Sequence, residues 1–247
     1  MNKFEKVGKF QFVTESYLLD CRGRLTIPMI GNYLLHAASG HAAQRGFGFS
    51  DMTEKQTAWV LSRLVMEINR YPGMSESVTL YTWIEDVGRF LTTRCFELTD
   101  SAGVPLGYAR SVWAAIDLQT RRPTPLDIEA LQVHVSSERS CPIEKPGKIA
   151  AVEGETTGVP YQVKYSDLDI NGHLNSIKYM EHLLDLFEPE LFRVKEVRRF
   201  EIAYLSEGRY GMPLVLHKKE MEPDTYYMAI SHEDRVICRA IANWVQS

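Results

Sequence analysis

The sequence predicts an α+β protein made of two tandem units, each a long helix wrapped by an antiparallel sheet. The first observation is a repeated motif: residues 20–25 (DCRGRL) and 169–174 (DINGHL) share Asp, Gly and Leu at a shift of about 149 positions. The second observation is the order of elements, because a helical pattern and then four β-rich segments follow each motif. Together they indicate one supersecondary unit used twice.

In the first copy, Thr26 can cap a helix and Pro28 can occupy its first turn, so we expect a helix from there to about residue 46. Turn signals rich in Pro, Gly and Asp then separate four β-rich segments. The predicted strands cover residues 58–69, 77–85, 91–98 and 107–118.

In the second copy, a helix is predicted over residues 174–188, ending before Pro189. Its apolar residues fall on one face, namely Leu174, Ile177, Met180, Leu183, Leu184 and Phe187. The predicted strands cover residues 194–205, 214–219, 225–231 and 235–245. The domain prediction is therefore an N-terminal unit at 1–125, a connector rich in Pro, Glu and Ser at 126–158, and a C-terminal unit at 159–247.

Composition limits the class of protein. The 247 residues are 45% hydrophobic and 24% charged with a net charge of −4, which is typical of a globular protein and gives no basic footprint for nucleic acid. The four cysteines lack C-x-x-C spacing, which favours reduced thiols and a cytoplasmic location. We find no secretory h-region and no apolar run of membrane-spanning length, so we expect no membrane partner.

One segment superficially matches a calcium site. Residues 167–172 (DLDING) follow the first half of an EF-hand loop, but Lys178 stands where that loop needs a bidentate Glu. The common motifs of nucleotide, serine-hydrolase and zinc-protease sites are absent, and the seven histidines show no metal-ligand spacing. We therefore expect no metal site and no cofactor.

The two copies differ at positions that can carry chemistry. The second has Asn171 and His173 where the first has Arg22 and Arg24. Because these residues precede a helix, they lie where amides and the positive dipole end can stabilise an oxyanion. Asn can orient a carbonyl or water, and His can shuttle a proton. The structural alternatives are a turn at Asn171 and an ordinary surface histidine at His173.

Other polar residues near this motif have structural interpretations. Asp167 is expected to be a solvated turn residue, and Asn175 can satisfy first-turn amides. Glu207 follows a predicted strand and precedes Gly208, so a strand end or bulge can aim it into a cleft as a catalytic acid or base. The alternative for Glu207 is a solvated side chain.

Three spaced motifs carry a resemblance to a known family. They are DLDINGHLNSIKY at residues 167–179; Trp59 with RYPG at 70–73 and TW at 82–83; and SVW at 111–113 with TRR at 120–122. On these motifs the chain from about residue 15 to residue 244 resembles the plant-type acyl-acyl-carrier-protein thioesterases and their bacterial relatives, whose first motif reads D-x-N-x-H followed by V-N-N-x-K-Y. The resemblance implies a double hotdog fold.

The resemblance also implies catalytic roles for Asp169, Asn171, His173 and Glu207. It implies hydrolysis of the thioester of fatty acyl-acyl-carrier-protein, which releases free fatty acid and ends chain elongation. We expect Glu207 and His173 to activate water, Asn171 and helix N-terminal amides to position the carbonyl, and Asp169 to hold His173 or Asn171. A covalent acyl-Glu207 intermediate is the rival route. Plant members have Cys after this Glu, whereas this chain has Gly208, so a cysteine nucleophile is not general.

Two further groups of residues are assigned to the substrate. An apolar tunnel for the acyl chain is expected between the first helix and its sheet, with plain core as the alternative; the substrate-binding candidates are Ile30, Leu34, Val60, Leu64, Met66 and Asn175. The acyl carrier protein is acidic, so a basic face is expected to meet it. The candidates for that face are Lys164, Lys178, Arg193, Lys195, Arg198 and Arg199. The alternative is that these residues form an ordinary solvated surface.

The sequence leaves several points open. An acyl-CoA thioesterase, a dehydratase and a non-hydrolytic acyl-binding protein are alternatives on the same fold. Acyl chain length cannot be read from the residues, because one methylene contributes only about 1 kcal/mol. A homodimer is an open expectation for the assembly.

Overall fold

A computed structural model describes residues 5–152 and 157–247. The chain forms two compact units that meet in sequence between Pro146 and Gly147. Residues 126–146 of the predicted connector therefore fold with the first unit.

The first unit contains one antiparallel sheet of five strands, in the order β1-β3-β4-β5-β2. Its elements are β1 (Gly8–Val13), a 3-10 helix (Ser16–Leu18), α1 (Ile27–Ala43), α2 (Phe49–Glu54), β2 (Thr57–Ile68), β3 (Ser77–Val87), β4 (Leu91–Thr99), β5 (Pro105–Asp117) and α3 (Ile128–Gln132). The long helix packs against β1 and β3.

Helix α1 forms for the reasons that the sequence suggests. Thr26 Oγ1 accepts a hydrogen bond from the amide of Met29 at 3.3 Å, and Pro28 lies in the first turn. Buried residues recur three and four positions apart, which places an apolar stripe against the sheet; they include Ile27, Ile30, Leu34, Ala37, Ala38 and Ala42.

The second unit repeats this topology, with the sheet order β6-β8-β9-β10-β7. Its elements are β6 (Thr157–Gln162), a 3-10 helix (Tyr165–Asp167), α4 (Ser176–Leu184), α5 (Pro189–Val194), β7 (Lys195–Tyr204), β8 (Pro213–Glu222), β9 (Thr225–His232) and β10 (Arg235–Gln246). Helix α4 packs against β8 and β9. Because strands at corresponding positions pair in the same order in both units, the predicted repeat is confirmed.

Each predicted strand is present, with ends that agree to within about three residues. The predicted bounds of the second helix, however, are wrong. The amide of Leu174 donates to the Gly208 carbonyl at 2.9 Å, and Asn175 caps the helix, so α4 begins at Ser176. It ends at Leu184, and Pro189 opens the separate helix α5 instead of merely following α4.

Candidate active site

A turn just before α4 presents the predicted catalytic motif. Asp169 Oδ1 accepts hydrogen bonds from the amides of Asn171 at 2.8 Å and His173 at 3.1 Å. Gly172 has φ +75°, a conformation that side chains with a Cβ rarely adopt. These contacts run from the Asp169 carboxylate to the backbone of the turn. Asp169 therefore fixes the turn that carries Asn171 and His173, and it does so through their amides.

The first unit builds the same turn from its own copy of the motif. Asp20 Oδ1 accepts from the amides of Arg22 at 2.8 Å and Arg24 at 3.0 Å, and Gly23 has φ +73°. The shared Asp and Gly are thus what the turn requires. The residues that differ between the copies are under no such constraint, which leaves them available for chemistry in the second unit.

In the second unit, His173 faces the predicted acid. Nε2 of His173 lies 3.3 Å from Oε2 of Glu207, and the two side chains are 21% and 36% exposed. We call these two residues the acid–imidazole pair. In the first unit, Arg24 instead forms an ion pair with Asp20 at 2.9 Å, and its guanidinium lies 5.5 Å from the centre of the Tyr71 ring. The structure therefore brings Glu207 and His173 together, as a general base and a proton shuttle require.

Backbone contacts hold the Glu207 loop against the turn. The Leu174 amide donates to the Gly208 carbonyl at 2.9 Å, and His173 and Arg209 are paired by an isolated β-bridge. A Cβ atom built at position 208 would lie 3.0 Å from Leu174 Cβ, so a larger residue there would force a shift. Close packing between the loop and the turn thus leaves little room for a side chain at position 208.

Cys238 lies in the core of the second unit. It is 0% exposed in β10, and burial raises the pKa of its thiol. A neutral, enclosed thiol is a poor nucleophile, so Cys238 does not replace the missing cysteine.

The backbone amides of the turn are already occupied. The amides of Asn171 and His173 bind Asp169 Oδ1, and those of Gly172, Leu174 and Asn175 bind main-chain carbonyls at 2.8 to 3.0 Å. These five amides are therefore not available to polarise a carbonyl. Because α4 begins at Ser176, the expected role of its own N-terminal amides stays a prediction. Asn171 itself is exposed, so its side chain remains the candidate donor in this turn.

Asp167 is not the solvated turn residue that the sequence suggested. It is 3% exposed, and its Oδ2 accepts hydrogen bonds from the Tyr161 hydroxyl at 2.7 Å and the Lys164 amide at 2.8 Å. Burial by itself would raise the pKa of Asp167, but these hydrogen bonds outweigh it and lower the pKa. His182 Nε2 lies 3.3 Å from Asp167 Oδ1. This buried group supports the 3-10 helix that leads into the turn.

Asn175 has a structural role at the start of α4. Its Oδ1 accepts from the Ile177 amide at 2.8 Å, and its own amide donates to the Asp167 carbonyl at 2.8 Å. A contact with substrate stays a prediction.

The tunnel candidates belong to the first unit. Four of them are buried, with exposures of 0 to 2%: Ile30, Leu34, Leu64 and Met66. Val60 is half-buried in β2. Their packing agrees with the core alternative as well as with a tunnel, so their role in binding an acyl chain stays a prediction.

The six basic candidates all lie in the second unit. Three form ion pairs with carboxylates of the same unit: Lys178 with Glu181, Lys195 with Asp224 and Arg199 with Glu201. Lys164, Arg193 and Arg198 are exposed. Internal pairing lowers the positive charge that an acidic partner would meet on this face.

Within residues 5–152 and 157–247, no group of three or more His, Cys, Asp or Glu side chains has an arrangement that could hold a metal ion. In the same part of the chain, no helix combines the length and apolar character needed to cross a membrane.

Comparisons with known proteins agree with this architecture. A solved acyl-ACP thioesterase from Bacteroides thetaiotaomicron is 40% identical, with a TM-score of 0.91 over 97% of this chain and 98% of that chain. The 12:0-ACP thioesterase from Umbellularia californica, at 19% identity, matches all of both chains with a TM-score of 0.88, which shows the fold. The predicted double hotdog fold is confirmed.

Among curated sequences, oleoyl-acyl carrier protein thioesterase 2, chloroplastic, from Arabidopsis thaliana is 27% identical over 81% of this chain. The chain spans about half the length of the first curated plant relatives that it matches, between 44% and 59%. The family model of the acyl-ACP thioesterase N-terminal domain matches residues 5–133, and that of the C-terminal domain matches residues 151–246. This chain therefore belongs to the acyl-ACP thioesterase family.

Proposed function

We propose that this protein hydrolyses the thioester of fatty acyl-acyl-carrier-protein, releases free fatty acid and so ends chain elongation. Family membership supports this, as does 40% identity to an acyl-ACP thioesterase over 97% of the chain. The observation that carries the proposal is the acid–imidazole pair, with His173 Nε2 and Glu207 Oε2 3.3 Å apart beside an exposed Asn171.

The reaction on this geometry is water-mediated acyl transfer. Glu207, paired with His173, accepts a proton from water as the water oxygen attacks the thioester carbonyl carbon. The Asn171 side-chain amide donates a hydrogen bond to the carbonyl oxygen as negative charge develops there. The carbon–sulfur bond then breaks, the proton passes to the leaving sulfur, and the products are a fatty acid and a free thiol. Asp169 contributes by holding the turn through backbone amides.

The test is thiol release from a panel of acyl-carrier-protein thioesters, followed with a thiol reagent. Glu207→Gln keeps the shape of the side chain but removes the base, so kcat should fall by about 10²–10⁴ with the fold intact. Arg24→Ala is the matched control, because Arg24 occupies the His173 position of the first unit; its turnover should stay close to that of the unmodified protein. Near-parental turnover in Glu207→Gln would show that the catalytic assignment is wrong.

The same panel decides between the carrier protein and coenzyme A. We propose an acidic carrier protein as the partner, with the exposed Lys164, Arg193 and Arg198 as its contacts. With one acyl chain on both carriers, kcat/KM should be higher for the carrier-protein thioester and should fall with added salt. Higher kcat/KM for acyl-CoA would favour the acyl-CoA thioesterase alternative, and binding without thiol release would favour an acyl-binding protein.

We also propose a cytoplasmic location, supported by the four cysteines, which are free thiols in the structure. Cell fractionation with an antibody to the protein tests it.

A further inference from the structure

One buried hydroxyl contacts the backbone on both sides of Glu207. The Tyr179 hydroxyl donates to the Ser206 carbonyl at 3.1 Å and accepts from the Gly208 amide at 2.8 Å. A tyrosine hydroxyl has one proton and can accept as well, so both hydrogen bonds form together. Tyr179 itself is 3% exposed in α4, and burial raises the pKa of its hydroxyl, which keeps it neutral.

A second tyrosine makes the reciprocal contact. Tyr204, the last residue of β7, donates from its hydroxyl to the Ser176 carbonyl at 2.9 Å, in the first turn of α4. The rings of Tyr179 and Tyr204 meet edge to face with centroids 5.5 Å apart. The helix therefore holds the end of the strand, and the strand holds the start of the helix.

The first unit lacks both hydroxyls at the corresponding places. When the two turns are aligned, Ile30 of α1 corresponds to Tyr179 of α4. The amide of each donates to the carbonyl of the helix N-cap residue, Thr26 and Asn175 respectively. Ile68 ends β2 as Tyr204 ends β7. The first unit therefore forms the same topology with isoleucine at both positions. The requirements of the fold alone do not account for Tyr179 and Tyr204 in the second unit.

We propose that Tyr179 is a positioning residue for Glu207: its hydroxyl locks the backbone of residues 206–208 so that the carboxylate stays opposite His173. The inference rests on the proposed function, because it requires Glu207 to act in hydrolysis. Glu207 lies beyond the end of a strand, where backbone is ordinarily mobile, and a displacement of about 1 Å can cost 10²-fold in rate. Two hydrogen bonds from one rigid side chain restrict that displacement.

The test is kinetic. In Tyr179→Phe, kcat for acyl-carrier-protein hydrolysis should fall by about 10- to 100-fold while KM changes by less than about threefold, because the enclosed hydroxyl touches no substrate. Tyr204→Phe is the matched control: it removes a hydroxyl from the same ring pair that contacts Ser176 instead of the neighbours of Glu207. Its kcat should stay within about threefold of the parent value. Equal losses of kcat in the two variants would indicate a structural role and overturn the inference.

A double variant separates this inference from the proposed function. Since Tyr179 acts through Glu207, Tyr179→Phe combined with Glu207→Gln should be no slower than Glu207→Gln alone. If Glu207→Gln is inactive but Tyr179→Phe keeps parental kcat, the inference fails and the proposed function stands. If Glu207→Gln is fully active, both fail. If Tyr179→Phe does not fold, Tyr179→Met replaces it as the test variant, because the first unit has the apolar Ile30 at this position. Its kcat and KM are judged by the same criteria.

Discussion

The two units place different side chains on the same turn. In the first unit, Arg24 is bound to Asp20 and lies over Tyr71, so its charge is satisfied within the turn. In the second unit, His173 lies against Glu207, and the side chain of Glu207 is 36% exposed. A shared topology therefore marks which residues the fold needs, and the differences between the units mark which residues are free for chemistry.

The largest expected effect comes from exchanging these side chains. His173→Arg gives the second unit the residue of the first, and it should lower kcat for thioester hydrolysis by about 10²–10⁴, because an arginine stays protonated and cannot shuttle a proton. Arg24→His makes the opposite exchange in the first unit and should leave kcat unchanged. Thiol release measured for both variants checks the comparison. A loss of activity in Arg24→His as large as in His173→Arg would mean that the two turns are not chemically distinct.

The sequence predicts most of this fold because its signals are local. The cap at Thr26, the proline in the first turn and the glycine of each motif act within a few residues, so the repeat and every predicted strand appear where expected. The start of α4 was misplaced because apolar Leu174 fits the helical periodicity, whereas its amide binds Gly208, far along the chain. Periodicity carries no information about such a long-range hydrogen bond.

The candidate site shows the same contrast between local signals and long-range contacts. Asp169, Asn171 and His173 are close in sequence, so their proximity follows from the motif. Glu207 was a candidate from its place after a predicted strand, but its joint role with these residues was implied by the family resemblance, since no local pattern links the end of β7 to a turn before α4. Burial of Asp167 was missed because it depends on Tyr161 and His182, which lie on other elements.

A smaller effect distinguishes the buried histidines of the two units. His41 in α1 accepts at Nδ1 from Arg94 at 3.0 Å and donates from Nε2 to the Lys6 carbonyl at 3.1 Å. Burial, and then the charges of Arg94 and Arg45, lower the pKa of His41 to about 3. His182 instead lies beside Asp167, which offsets part of the effect of burial on its pKa. Acid should therefore destabilise the protein more through His41.

The sign follows from proton linkage. Below pH 6.5 the unfolded chain protonates His41 while the folded unit does not, so stability falls as the pH drops from about 6.5 towards 3. From pH 7 to pH 5, protonation of His41 in the unfolded chain should lower the unfolding free energy of the parent protein by about 2 kcal/mol. His41→Gln should lack this part of the loss. Urea unfolding at both pH values measures this difference. An identical pH dependence in the parent and His41→Gln would contradict a neutral, enclosed His41.

The smallest expected effect concerns the two aspartates that the turns share. Asp20→Ala and Asp169→Ala each remove a carboxylate that accepts hydrogen bonds from two backbone amides. Each substitution should lower the unfolding free energy by about 1 to 2 kcal/mol. Only Asp169→Ala should also lower kcat, because only its turn carries Asn171 and His173. Thermal or urea unfolding and thiol release, measured on both variants, give the two readouts.

Asp169→Asn refines this last comparison, because asparagine keeps one side-chain oxygen for the amides of Asn171 and His173 but carries no charge. If Asp169 acts by fixing the turn, Asp169→Asn should recover most of the kcat that Asp169→Ala loses. If the carboxylate charge itself takes part in the reaction, Asp169→Asn and Asp169→Ala should be equally slow. Oδ1 of Asp169 accepts from backbone amides of the turn, and Oδ1 of Asp20 does the same in a unit without the acid–imidazole pair. This parallel favours recovery in Asp169→Asn.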